Sequence, residues 1–126
     1  MKKKILAVFL SGLWMNLSEF VRNELLFKSI WIDGFQAIGL SFPSAPINGA
    51  LWVLWSFIFV AILVLLIQKF SLLSSTLISW TLGFLLMWLG LGNLGILPQG
   101  LLWVAVPWSF VEVYIAALIG QRVLRG

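Results

Sequence analysis

The stretch from Ala50 to Ile67, ALWVLWSFIFVAILVLLI, holds one serine and no charged residue. At 1.5 Å of rise per residue it would form a helix of about 27 Å, which nearly fills a hydrocarbon core of about 30 Å. A helix satisfies its own backbone hydrogen bonds in lipid. This stretch therefore predicts a transmembrane span.

Three more apolar stretches surround this span. The first follows Lys2, Lys3 and Lys4 and resembles a secretory signal, but no small-residue cleavage site follows it, so we interpret it as an uncleaved span. The glycines and Pro98 of GNLGILPQG predict a tight turn between the last two stretches. We expect one all-α domain over residues 1–126, an integral membrane four-helix bundle with spans at about 5–26, 50–67, 72–91 and 101–119.

The composition supports a membrane protein and excludes several chemistries. Of 126 residues, 62% are hydrophobic and 10% charged, whereas about 25% of residues are charged in soluble domains. The chain contains neither cysteine nor histidine, which excludes disulfide exchange, thiolate nucleophiles, imidazole catalysis and the usual zinc sites. We expect no metal, no cofactor and no catalytic residues.

The basic residues predict the orientation, because lysine and arginine near span ends are retained on the cytoplasmic side. Arg22 and Lys28 fall at one end of the predicted bundle, and six basic residues fall at the other. We therefore expect both termini to be cytoplasmic, in a multi-pass protein of the bacterial inner membrane. The sequence pI of about 10.0 reflects this bias, and we expect the lipid bilayer, not nucleic acid, as a partner. The six residues are Lys2, Lys3, Lys4, Lys69, Arg122 and Arg125.

The connection from Lys28 to Asn48 is the only long one. Glycines and prolines break it too often for a span, yet its isoleucine, tryptophan and phenylalanine residues make it too apolar for a solvated loop. We expect an interfacial segment on the non-cytoplasmic face, acting as a functional lid or only as an anchored loop.

Glu112 is the most deeply placed charged residue. By helical rise it lies about 16 Å from Leu101 and about 15 Å from Arg122, near the middle of the bilayer. A charged residue there costs roughly 2.5–3.5 kcal/mol, so we expect it to be protonated or paired inside the bundle. Pro107, one and a half turns earlier, leaves the carbonyl of Trp103 without its helical donor and adds an acceptor nearby.

A second polar cluster lies on the first span. Asn16, Glu19 and Asn23 recur on one helical stripe, and Arg22 is within reach of Glu19 for an ion pair. Asn16 is level with Glu112. The stripe is either a path that opens outward from Glu112 or a hydrogen-bonded seam between the first and fourth helices. The candidate ligand- or proton-binding residues are Glu112, Asn16, Glu19, Arg22, Asn23 and Ser109.

Small residues recur every four positions in the third span, at Ser71, Ser75, Ser79 and Gly83. Such a ridge permits close helix approach in lipid, and we expect it to face a neighbouring helix.

The length, the four helices and the embedded Glu19 resemble the small multidrug exporters. That resemblance implies an antiparallel dimer, as in the similarly small fluoride channels. Chains that form such antiparallel dimers do not carry a strong bias of basic residues toward one side of the membrane. Here six basic residues lie on one predicted side and two on the other, and the fluoride-channel signatures are not found. More generally the chain looks like small four-helix proteins of bacterial inner membranes, a similarity of architecture alone.

Three functions remain open. The first is a small-molecule or proton-linked transporter or channel, as a possible homo-oligomer, in which Glu112 binds a proton or cation. The second is an accessory subunit that binds a partner membrane protein. The third is an enzyme acting on a lipid-like substrate.

Overall fold

The computed structural model describes all residues from 1 to 126, and the chain is helical over 82% of its length, with no strands. Four helices are long and apolar enough to cross a membrane, as the sequence predicts: Lys2–Leu26, Pro46–Leu66, Leu72–Asn93 and Leu101–Arg125. We call them the first to fourth spans. A shorter connecting helix, Lys28–Ala37, follows the first span.

The four spans form a bundle in which the first span packs against both the second and the fourth, and the third packs mainly against the fourth. Nζ of Lys3 donates a hydrogen bond to the carbonyl oxygen of Gly126 at 2.7 Å. Both termini therefore lie at one end of the bundle, which we call the basic end. The opposite end carries the connecting helix.

The bundle exposes apolar side chains and buries many small or polar ones. Large apolar side chains are exposed on the outside of every span, while Ser11, Ser56, Ser75 and Ser109 are almost fully buried. This distribution suits lipid, where small residues and interhelical hydrogen bonds, not a hydrophobic drive, hold helices together.

Three span boundaries differ from the predicted ones by more than two residues. The first span begins at Lys2 and not at residue 5. The second begins at Pro46 and not at residue 50, because a proline in the first turn has a preset φ and no N–H to satisfy. The fourth runs to Arg125 and not to residue 119, because its last turns stay helical beyond the apolar stretch.

The connection after Lys28 is more ordered than the sequence suggests. Gly34 lies inside the connecting helix and faces Pro98, where a Cβ atom would come within 2.6 Å of the proline side chain. Trp31, Phe35 and Phe42 pack together with ring centroids 5.4–6.5 Å apart. The connecting helix is thereby held against the turn between the third and fourth spans.

The small-residue ridge of the third span faces its neighbours over only part of its length. Ser75 and Ser79 are buried, whereas Ser71 is exposed and caps the helix by accepting a bond from the Ser74 amide. Gly83 lies in a π-helical segment, Thr81–Leu85, under the ring of Phe59 from the second span.

Candidate functional site

Glu112 lies inside the bundle with 1% of its surface exposed. Its backbone is fixed by the first span, because Nε1 of Trp14 donates to the Glu112 carbonyl oxygen at 2.9 Å. One turn further on, Oγ of Ser11 donates to the Ala116 carbonyl at 3.0 Å. Gly120 lets the same serine come close, since a Cβ there would lie 3.3 Å from the Ser11 hydroxyl. The small residues after Glu112 thus bring the two helices together.

The Glu112 carboxyl group faces Ser18 and Glu19 of the first span, with Arg22 also near it. Neither of its oxygens accepts a protein hydrogen bond, and the same is true of Oε1 of Glu19. Three carboxyl oxygens are therefore buried without a donor. We call Glu19, Arg22 and Glu112 the carboxyl cluster.

Arg22 neutralises only part of this cluster. Its Nη2 atom lies 2.5 Å from Oε2 of Glu19, which confirms the ion pair expected from their spacing. Nη1 donates to the carbonyl oxygen of Ala105 at 3.3 Å. The free acceptor that the sequence predicted near Pro107 was a different one, the carbonyl oxygen of Trp103. With two carboxylates and one guanidinium, the cluster would carry a net charge of −1.

The first span is π-helical over Val21–Leu26, the segment that carries Arg22 and Asn23. π-helical segments recur at functional sites because they change which side chains share a face. Here Nδ2 of Asn23 donates to Oε2 of Glu19 at 2.7 Å, beside the bond from Arg22. Oε2 of Glu19 thus accepts two hydrogen bonds, while Oε1 accepts none.

The end of the cluster away from the basic end is covered by aromatic side chains. Nε1 of Trp31, on the connecting helix, donates to Oδ1 of Asn23 at 2.9 Å. Phe27 meets Trp108 edge-on, with ring centroids 6.4 Å apart. The connecting helix therefore touches the polar stripe directly.

Two of the candidate residues do not join the cluster. Nδ2 of Asn16 donates to the Gly12 carbonyl oxygen one turn earlier on its own helix. Ser109 lies one turn before Glu112, but its hydroxyl accepts a bond from Nε1 of Trp80 in the third span at 2.8 Å. Glu24 and Lys28 form the surface ion pair expected from their spacing.

The sequence interpretation missed Ser18 and the roles of three tryptophans. Trp14, Trp80 and Trp108 each donate a hydrogen bond to another span, and the partner of Trp108 is the hydroxyl of Ser18. A signal was present: these three lie inside spans, whereas tryptophan usually prefers the membrane interface. A buried indole N–H needs an acceptor, so each predicts a polar group opposite it.

Two apolar grooves mark the outside of the bundle, and neither includes a residue of the carboxyl cluster. One, of about 210 Å³, lies between the second and third spans beside Phe59 and Gly83. The other, of about 450 Å³, lies between the first and second spans beside Lys4.

Comparisons with protein-family models, curated proteins and solved structures found no match to this chain. The chemistry open to the cluster follows from its own residues. Carboxyl groups can take up and release a proton or hold a monovalent cation, and one positive charge would neutralise the cluster. No group of three or more histidine, cysteine, aspartate or glutamate residues is arranged to hold a metal ion.

Proposed function

We propose that this protein is a proton-linked transporter or channel of the bacterial inner membrane, in which Glu112 and Glu19 bind one proton between them. The observation that supports the proposal is the pair of carboxyl groups, Glu19 and Glu112, with three buried oxygens that accept no hydrogen bond in the structure. A single proton placed there supplies a donor and removes the net charge.

The energetics favour one proton bound by the two carboxyl groups over a state in which both are ionised. A buried charge without a partner costs several kcal/mol, and like charges side by side add to that cost. Arg22 compensates one carboxylate only, through its 2.5 Å contact with Glu19. Because the chain has no histidine, carboxyl groups are its natural carriers of protons within the bilayer.

The proton would exchange with one side of the membrane by way of Glu19. The Glu19 side chain is 20% exposed, and the hydrogen bonds that Asn23 donates to Glu19 and Trp31 donates to Asn23 form a path that leads away from the basic end. Movement of the connecting helix would open this route. With the basic end in the cytoplasm, as the charge bias favours, the route leads to the outer side.

The driven species is a small molecule or an ion, and copies of the chain would associate to make room for its passage. Four short helices leave little space for a pore within one bundle. The proton site itself lies within a single chain.

A second candidate function is that of an accessory subunit whose polar residues only hold helices together. The bonds from Trp14 to the Glu112 carbonyl, from Ser11 to Ala116 and from Trp108 to Ser18 favour it, since all three join the first and fourth spans. In that case the carboxyl cluster is a structural element, and the exposed connecting helix would contact a partner.

Proton flux into liposomes distinguishes the two functions. The purified protein is reconstituted around a pH-sensitive dye, a pH gradient is imposed with a potassium ionophore present, and the initial rate of dye response is measured. We expect the wild-type rate to exceed that of empty liposomes, and Glu112→Gln to fall to the empty-liposome rate. Glu24→Gln, which removes an exposed carboxylate, should behave like the wild type.

The thermal midpoint of each variant is measured in parallel. Glu112→Gln keeps the size of the side chain and supplies its own amide donor, so we expect it to remain folded. Wild-type flux from folded Glu112→Gln would overturn the transport proposal. A change in oligomer size or stability alone would favour the accessory subunit.

A further inference from the structure

We infer that the groove between the first and second spans is a binding site for one anionic phospholipid of the leaflet at the basic end. This site lies apart from the carboxyl cluster and does not depend on the proposed transport function. The occupant would place an acyl chain along the groove and its phosphate beside Lys4.

The groove has the dimensions of a single chain in one leaflet. It has a volume of about 450 Å³ and runs beside the second span from Leu65 to Phe57. Eight residues of helix rise by about 12 Å, close to the hydrocarbon depth of one leaflet, about 15 Å. Its walls are apolar from end to end apart from Lys4.

Lys4 lies at the mouth of the groove and is free to bind an anion. The two ion pairs of the protein join Glu19 to Arg22 and Glu24 to Lys28, and the neighbouring Lys3 donates to the Gly126 carbonyl instead. The chain has only four acidic residues, and its termini and the turn that carries Lys69 contain none. The basic end is therefore complementary to a negatively charged headgroup.

The walls of the groove favour a lipid over a partner helix. Helices associate closely in membranes through small residues, whereas Ile5, Phe9 and Leu65 expose bulky side chains here. The ring of Phe57 is seated over Gly12 of the first span. Phe57 is the lining residue of the second span farthest from Leu65, so this contact joins the two spans at that end of the groove.

Native mass spectrometry of the full chain in detergent tests the site, with either phosphatidylglycerol or phosphatidylcholine added. We expect the wild type to retain one phosphatidylglycerol and to bind phosphatidylcholine more weakly. Lys4→Gln should weaken the binding of phosphatidylglycerol about fivefold, the effect of one basic residue at a lipid surface. Lys2→Gln removes the same charge outside the groove and should have a much smaller effect.

A second variant tests whether the acyl chain is recognised. Ala61→Leu fills the groove and should reduce phosphatidylglycerol binding, whereas Ala50→Leu adds the same bulk at the exposed far end of the same span and should not. Equal binding of the two lipids, equal loss in Lys4→Gln and Lys2→Gln, or full binding by Ala61→Leu would each overturn the proposal.

Discussion

Trp31 of the connecting helix is bonded to Asn23 of the first span, with Nε1 donating to Oδ1 at 2.9 Å. Asn23 in turn donates to Oε2 of Glu19, and the Glu19 side chain lies beside that of Glu112. A side chain outside the four spans is therefore three links from the most deeply buried carboxyl group. Movement of the connecting helix would therefore change the hydrogen bonds that reach the carboxyl cluster.

Loss of the Trp31 bond should open the end of the carboxyl cluster beside the connecting helix. Trp31→Phe keeps an aromatic ring against Phe35 and Phe42 but removes the donor. Because the chain has no cysteine, Ser18→Cys creates a unique probe beside Glu112. We expect a charged thiol reagent to label it about fivefold faster in the Trp31→Phe background, the effect of about 1 kcal/mol from one hydrogen bond.

Trp52→Phe is the control for that experiment. Trp52 is 56% exposed and packs on Trp55, and it is not part of the hydrogen-bonded path from Trp31 through Asn23 to Glu19, so its loss should leave the labelling rate unchanged. An equal rate in the Trp31→Phe and Trp52→Phe backgrounds would show that the connecting helix does not limit access.

Removal of Arg22 should destabilise the protein far more than removal of an exposed cation. Arg22→Gln leaves two carboxyl groups buried without their guanidinium, and we expect a loss of about 3 kcal/mol in the free energy of unfolding. This is the lower end of the range for a broken buried pair, because the Glu19 side chain is 20% exposed.

Two comparisons check the origin of that loss in denaturant titrations. Lys28→Gln, which breaks the exposed pair with Glu24, should cost at most about 1 kcal/mol. Glu19→Gln added to Arg22→Gln should restore much of the stability, since one buried charge is then absent. No recovery in the double variant would mean that Arg22 acts through packing alone.

Gly83 should tolerate no side chain. A Cβ atom there would lie 2.5 Å from the ring of Phe59, so Gly83→Ala must displace the second span or the ring, at about 1–3 kcal/mol. Gly90→Ala is the matched control, because nothing lies within 4 Å of its Cβ position. Thermal unfolding in detergent should show a lower midpoint for Gly83→Ala only; equal midpoints would contradict the close helix contact.

The four spans were predictable from the sequence because lipid imposes both their length and their composition. The first and last residues of the spans were less predictable, because helix ends depend on local geometry beyond the apolar core. The second span starts at Pro46 and the fourth continues to Arg125.

The candidate site was predictable in its charges and not in its detail. The spacing of Glu19 and Arg22 was enough to predict their ion pair. Helical rise placed Asn16 level with Glu112, but depth says nothing of direction, and its amide bonds to Gly12. Trp108 inside a span predicts a polar group opposite it, but only the structure shows that this group is Ser18.

The orientation of the bundle is a separate prediction. Reporter fusions at Met1 and at Gly126 should both be active in the cytoplasm, because six basic residues lie at the end that holds both termini. A fusion in the loop near Gly39 should report the outer side. A terminal reporter found outside the cell would reverse the proposed direction of the proton route.

The proposed proton between Glu19 and Glu112 is tested most directly by infrared spectroscopy of the protein in lipid, through the carbonyl stretch of a protonated carboxyl group. The account predicts that this band is present in the wild type at neutral pH, persists in Glu24→Gln and disappears in folded Glu112→Gln. Absence of the band in the wild type, with both carboxyl groups ionised, would contradict it.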